Sequence, residues 1–289
     1  NLMTGINTSS ASGTNNTSYG SGALAANTTG TSNIAIGSGA LASSSTASNN
    51  IAIGHNALPN PSNSYNIAIG SDALTSLTSG NVCIAIGGSA LALNTTGQNI
   101  AIGYSSLSSN TSGSGNVCVG IQGMFSNTIG GGNSVLGTSA LFVNTTGNYN
   151  TAIGFSTLFL NNTGSNNTAV GYNACYNSTV SNLTAVGYNA LTANTTGALN
   201  TAIGCSALAA NTTGASNTAL GYQSGSTITT GSNNTLIGSS AAVDAVARSG
   251  TIVIGASTTS AAFDNSFTVR AASVRSSTTA NVLYFNSTS

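Results

Sequence analysis

Fifteen glycines recur along this chain at an almost fixed spacing: Gly20, Gly37, Gly54, Gly70, Gly87, Gly103, Gly120, Gly137, Gly154, Gly171, Gly187, Gly204, Gly221, Gly238 and Gly255. Fourteen steps separate them, eleven of 17 residues and three of 16. A period of that length belongs neither to a helical heptad nor to an ordinary globular domain. It implies one small structural unit stacked on the next.

The unit keeps its chemistry from copy to copy. The residue before each Gly is large and apolar (Ile36, Ile53, Ile153, Val170, Ile203), and the one before that is small, as in Ala35, Ala52, Cys118, Ala152 and Ala169. Four places before the Gly stands Asn in twelve of fifteen units, among them Asn33, Asn50, Asn150 and Asn200. After the Gly comes x-x-Ala-Leu, as at Ala40-Leu41 and Ala190-Leu191, and then a turn, often Asn-Thr-Thr-Gly as at residues 94–97. The short β-branched run before each Gly, bounded by Asn and Gly, reads as a strand, and the Ala-Leu pair as a second, shorter one. Short strands and tight turns in about 17 residues fit one coil of a parallel β-solenoid, an all-β fold whose coils stack about 4.8 Å apart. Fourteen such steps make a rod of roughly 65 to 70 Å. At the corner, Gly37, Gly54, Gly103, Gly154 and Gly204 are expected to take a φ that a side chain would resist. The Asn column is expected to form amide ladders that satisfy corner backbone groups.

Neighbouring strand residues point to opposite faces, yet the two residues before the Gly are both apolar in nearly every unit. One face fills the coil, and the other needs a covering that nothing else in the chain supplies. A symmetric oligomer wound about that face is the economical answer. The position three before the Gly shares the face of the large apolar residue. It is Ile at Ile34, Ile51, Ile67, Ile84 and Ile100, and Thr at Thr151, Thr168, Thr184, Thr201, Thr218 and Thr235.

Asn-x-Ala-Ile-Gly followed by x-x-Ala-Leu resembles the head repeats of trimeric autotransporter adhesins. It is still more similar to the longer-period form found in phage tail fibres and fibre proteins of large viruses. The resemblance covers about residues 20–255 and implies a left-handed, homotrimeric β-roll. The period of 17, in place of about 14, departs from the bacterial heads. The tail, Asn265 to Arg270 and then Asn281 to Phe285, is similar to the segment that precedes a self-cleaving chaperone domain in such fibres, and that domain is not in this sequence.

Composition narrows the function classes. Six residues carry charge (Asp72, Asp244, Asp264, Arg248, Arg270, Arg275), and there is no Lys, Glu or Trp. Three Arg cannot build a groove for nucleic acid, a polybasic membrane patch or an electrostatic funnel. No apolar run approaches the roughly 18 to 20 residues of a membrane helix. With so little charge, Asn, Ser and Thr must keep the surface wet, as in extracellular fibres. The start at Asn1 lacks a secretion signal, which points to a removed leader or a longer polypeptide. Five of the six charges fall after residue 243, where Ala241-Ala242 also replaces Ala-Leu. The expected division is therefore an N-terminal cap or join over residues 1–16, the solenoid over 17–255, and a strand-rich cap or neck over 256–289.

His55, the single histidine, holds a variable position after its Gly and reads as a surface residue without a second ligand type for a metal. Asp72 is its one candidate carboxylate partner, and their different offsets are expected to aim them to different sides. Paired carboxylates for glycoside cleavage are missing from residues 73–243. Cys83, Cys118, Cys175 and Cys205 sit at four different offsets and read as free, small apolar residues. The Asn-x-Ser/Thr triplets at Asn27, Asn94, Asn144, Asn194 and Asn211 read as turns before they read as glycan acceptors. Tyr104, Phe155, Tyr172, Tyr188 and Tyr222 follow their glycines in one column, covering the corner or stacking on receptor sugars. The function expected is a homotrimeric solenoid shaft on a virion, mediating attachment to a host glycan or protein receptor. The alternatives are a bacterial cell-surface trimeric adhesin and, from the late Thr column, an ice-binding solenoid. No catalysis, cofactor, metal, nucleic acid or membrane insertion is expected.

Overall fold

A computed structural model describes residues 13–259 and 263–269. Most of the expected N-terminal cap or join over residues 1–16, Arg270, Arg275 and the 281–285 tail lie outside these residues. Sixteen strands of three residues, from β1 (Thr17–Tyr19) to β16 (Phe267–Val269), form one parallel sheet in strict sequence order. Register follows the repeat: Ile34 pairs with Ile51, Ala35 with Ala52 and Ile36 with Ile53. Each rung bonds to both neighbours, since Ile34 N–H donates to Asn50 O at 2.9 Å and Gly54 N–H to Ile36 O at 2.8 Å. Fifteen such steps at about 4.8 Å span about 70 Å.

The middle residue of each strand points inward. Ala35, Ala52, Ala152 and Ala169 are fully buried, as are Cys118 and Leu236 at the same position. The flanking residues point outward, and Ile34, Ile36, Ile153, Ile203 and Leu220 are all exposed. Alternation along a three-residue strand thus separates a packed interior from an uncovered apolar strip.

The Ala-Leu pair is not a second strand. Ala40 and Leu41 are both fully buried, which successive strand residues cannot be. The chain instead runs through overlapping turns: Ala40 N–H donates to Gly37 O and Ala42 N–H to Gly39 O, each at 3.3 Å, while Leu41 N–H reaches Ala57 O of the next rung at 3.3 Å. The leucine column takes a left-handed backbone, with φ of +49° at Leu41 and +54° at Leu74. That conformation costs a side-chain-bearing residue about 1 to 2 kcal/mol. Full burial of the leucine, worth about 1.5 to 3 kcal/mol, offsets it.

Gly54 shows why the corner residue is glycine. Its φ is +139°, and a Cβ there would stand 2.5 Å from the carbonyl oxygen of Gly70 in the next rung. Gly37, Gly103, Gly154 and Gly204 share the conformation, at +128°, +138°, +133° and +137°.

Asn33, Asn50, Asn150 and Asn200 lie inside the rod, no more than 1% exposed. Each Oδ1 accepts the backbone N–H one rung on: Asn33 serves Asn50 at 3.0 Å, Asn150 serves Asn167 at 3.0 Å and Asn200 serves Asn217 at 2.8 Å. A second interior ladder, absent from the sequence reading, runs through Asn110, Asn127 and Asn144, whose amides donate from rung to rung at 2.7 Å.

The stack does not stop at residue 255. β16 pairs in parallel with β15 (Ile252–Ile254), Ile252 against Phe267, so one further and shorter rung follows the last repeat glycine. Arg248 holds Asp244 through Nε at 2.7 Å and Nη2 at 2.8 Å, and reaches Asp264 of that added rung at 3.3 Å.

Candidate functional site

Two surface features are built by the repeat. The first is the strip of outward strand residues. It holds isoleucine on both edges in β2 (Ile34–Ile36) through β6 (Ile100–Ile102), and threonine beside Ile, Val or Leu from β9 (Thr151–Ile153) to β14 (Thr235–Ile237). Between them Val117, Val119, Leu136 and Ile153 line an apolar groove of about 230 Å³, opened by the short side chain of Ser134. No charged side chain occurs in any of the sixteen strands.

The second feature is aromatic. Tyr104, Phe155, Tyr172, Tyr188 and Tyr222 are all exposed. Phe155 and Tyr172 stack with ring centroids 5.5 Å apart and planes within 9°, and Tyr172 and Tyr188 at 5.3 Å and 11°. Stacking covers the ring faces inside that run, so Tyr172 turns its edge outward and offers no open face to a sugar. A second comb was not foreseen: Phe125, Phe142, Phe159 and Tyr176 stack at 5.2, 5.1 and 5.1 Å. Its signal was present, since all four stand five residues after their glycines in consecutive units.

His55 and Asp72 do not point to different sides. His55 Nδ1 stands 3.9 Å from Asp72 Oδ1, because the segment after each Gly is a run of turns in which strand alternation does not apply. Ser71 Oγ donates to Asp72 Oδ2 at 2.9 Å and not to the imidazole, so the order of a hydrolytic triad is not formed. Among the described residues no three His, Cys, Asp or Glu side chains converge as metal ligands.

The cysteines are free, with Cys83, Cys118 and Cys175 buried and Cys205 half-buried. Burial pushes the Cys118 thiol up to about 11 and the Cys175 thiol up to about 12. Cys83 replaces Asn in the interior ladder, where Asn94 Nδ2 donates to its Sγ at 3.6 Å, and burial raises its pKa as well. No helix of the described residues is long and apolar enough to cross a membrane.

Neither a protein-family model, nor a curated protein, nor a solved structure matches the chain.

Proposed function

We propose that the chain is the shaft of an adhesive fibre on a virion, built from three copies that converge on the outward strand strip and hold a host-attachment surface away from the particle. The observation that carries this is the strip itself: two uncharged columns running the whole stack, one apolar throughout and one isoleucine early and threonine late, with no outward residue buried in a single chain. A strip about 70 Å long and on the order of 10 Å wide offers roughly 700 Å² per copy, close to the roughly 800 Å² that a standard interface buries per partner. A globular partner would touch a few rungs and leave the others bare. A second copy repeats at the same rung spacing, so it matches along the entire length. The outward residues of each strand are only about 7 Å apart, a narrow wedge that suits convergence about an axis better than a flat sandwich. The same architecture serves a bacterial surface adhesin, which would differ in its anchoring segments.

Light scattering on the purified chain tests the assembly. Three times the 28.0 kDa chain mass is expected, and a stable monomer with an intact β signature would overturn it. The threonine column beside Val170 and Val186 favours one other reading, a surface that orders water against ice. Thermal hysteresis in the same sample, together with a monomer mass, would replace the fibre reading with that one.

A further inference from the structure

From Phe155 to Tyr222 the aromatic column beside the repeat glycines lacks one rung. Phe155, Tyr172 and Tyr188 stack in consecutive rungs, the next rung carries Cys205, and the rung after that carries Tyr222. Tyr188 and Tyr222 are each 53% exposed, and Cys205 between them is half-buried. The backbone is in register throughout: Ser206 N–H donates to Tyr188 O at 2.8 Å, and Gln223 N–H to Cys205 O at 2.8 Å. Two rungs therefore separate the two tyrosines, which opens a slot about 10 Å wide floored by a thiol.

We propose that this slot binds one pyranose ring of a neutral glycan, sandwiched between Tyr188 and Tyr222. Width sets the shape of the occupant. A flat aromatic ring touching both tyrosines needs about 7 to 8 Å in all, two contacts of about 3.5 to 4.0 Å each. The remaining space suits a puckered ring with C–H groups on both faces. Such C–H faces meet the electron-rich faces of tyrosine, while the ring hydroxyls stay at the wet rim. Charge sets the sign: no charged residue occurs anywhere between residues 73 and 243, so nothing in the slot favours an anionic or cationic sugar. Unlike Tyr172, which has a stacked ring in the rung on each side, Tyr188 has a stacked ring only on its Tyr172 side and faces the rung that lacks an aromatic on the other. The inference rests on the adhesive reading for its biological meaning and supplies the ligand class of that attachment.

The test is saturation-transfer NMR on the full chain with neutral methyl pyranosides of glucose, galactose, mannose and N-acetylglucosamine, and indole as a flat-ring probe. At least one pyranoside is expected to bind and indole is not. Cys205→Tyr fills the slot, and Tyr222→Ala removes one wall; each is expected to weaken binding by about tenfold or more, with Cys205→Ser within about twofold of the parent. Circular dichroism of each variant shows that the rod is intact. Absence of pyranoside binding, binding untouched by Cys205→Tyr, or indole binding alone would overturn the proposal. Mass measured on the same samples separates the two readings: a monomer that binds the sugar defeats the trimeric shaft, and a trimer that does not bind it defeats the slot.

Discussion

Leu236 fills the space that Gly225 leaves open in the rod interior. Leu236 holds a mid-strand position that is alanine in most rungs, and Gly225 holds a position that is leucine in most rungs. A Cβ built on Gly225 would stand 3.5 Å from Leu236 Cδ1 and 2.9 Å from Leu208 Cδ2. At this rung the two positions trade size against each other.

Moving that trade elsewhere tests it. Ala152 and Leu141 hold the corresponding positions in another rung, and both are fully buried. Ala152→Leu alone is expected to overpack and cost about 1 to 3 kcal/mol. Leu141→Gly alone leaves a cavity and costs about 2 to 5 kcal/mol. The double variant is expected to recover about 1 to 3 kcal/mol relative to the sum. Chemical denaturation of the three variants gives the coupling; strict additivity would sink the shared-volume account.

The buried amides make a separate prediction. Asn133 Oδ1 accepts Asn150 N–H at 2.9 Å, and its Nδ2 donates to Asn116 Oδ1 and to Gly147 O, each at 3.0 Å. Asn133→Ala strands these partners away from water and is expected to cost about 2 to 4 kcal/mol. Thr163→Ala, at an exposed turn, is expected to stay within about 0.5 kcal/mol of the parent. Equal midpoints for the two variants would show that the ladder contributes nothing net.

The strands and the Asn column were legible because each rests on a one-dimensional pattern, β-branched residues between Asn and Gly at a fixed offset. The Ala-Leu segment misled because it was read by residue preference, although two adjacent inward residues such as Ala40 and Leu41 are themselves evidence of a turn. The proximity of His55 to Asp72 was illegible for the same reason, since alternation was assumed where the backbone is left-handed at Asp72, with φ of +58°. The added rung of β16 was hidden by its length, 15 residues from Ile252 to Phe267, and by charges that broke the composition while bridging the rungs.

The Asn-Thr-Thr-Gly turns bear on glycosylation. Asn144, Asn194 and Asn211 are fully buried, and their amides donate to Gly147 O, Gly197 O and Gly214 O at 3.1, 3.0 and 2.9 Å. Asn166 and Asn182, followed by Thr168 and Thr184, are exposed. In chain secreted from a eukaryotic host, glycan is expected only at sites of the second kind in the soluble fraction. Peptide mass mapping that found sugar on Asn144 or Asn211 of a folded rod would contradict the interior placement.

The buried thiols give the rod an alkaline limit. At neutral pH a thiol reagent is expected to modify Cys205 alone, and Cys118 and Cys175 only on unfolding. An unfolded thiol ionises near 9.0, whereas Cys118 and Cys175 in the rod hold their protons up to about 11 and about 12. A raised folded pKa means stability that is complete below the unfolded value and lost as pH climbs toward the folded one. Each thiol is therefore expected to lower unfolding free energy by about 1.4 kcal/mol per pH unit above that point. Urea midpoints between neutral pH and pH about 11 measure the slope. Cys175→Ala removes one of these contributions, beside those of Cys118 and of Cys83, whose pKa burial also raises, so its profile is expected to be shallower than the parent's even though the cavity lowers its stability at neutral pH. Parallel profiles would mean that the Cys175 thiol does not govern the alkaline transition.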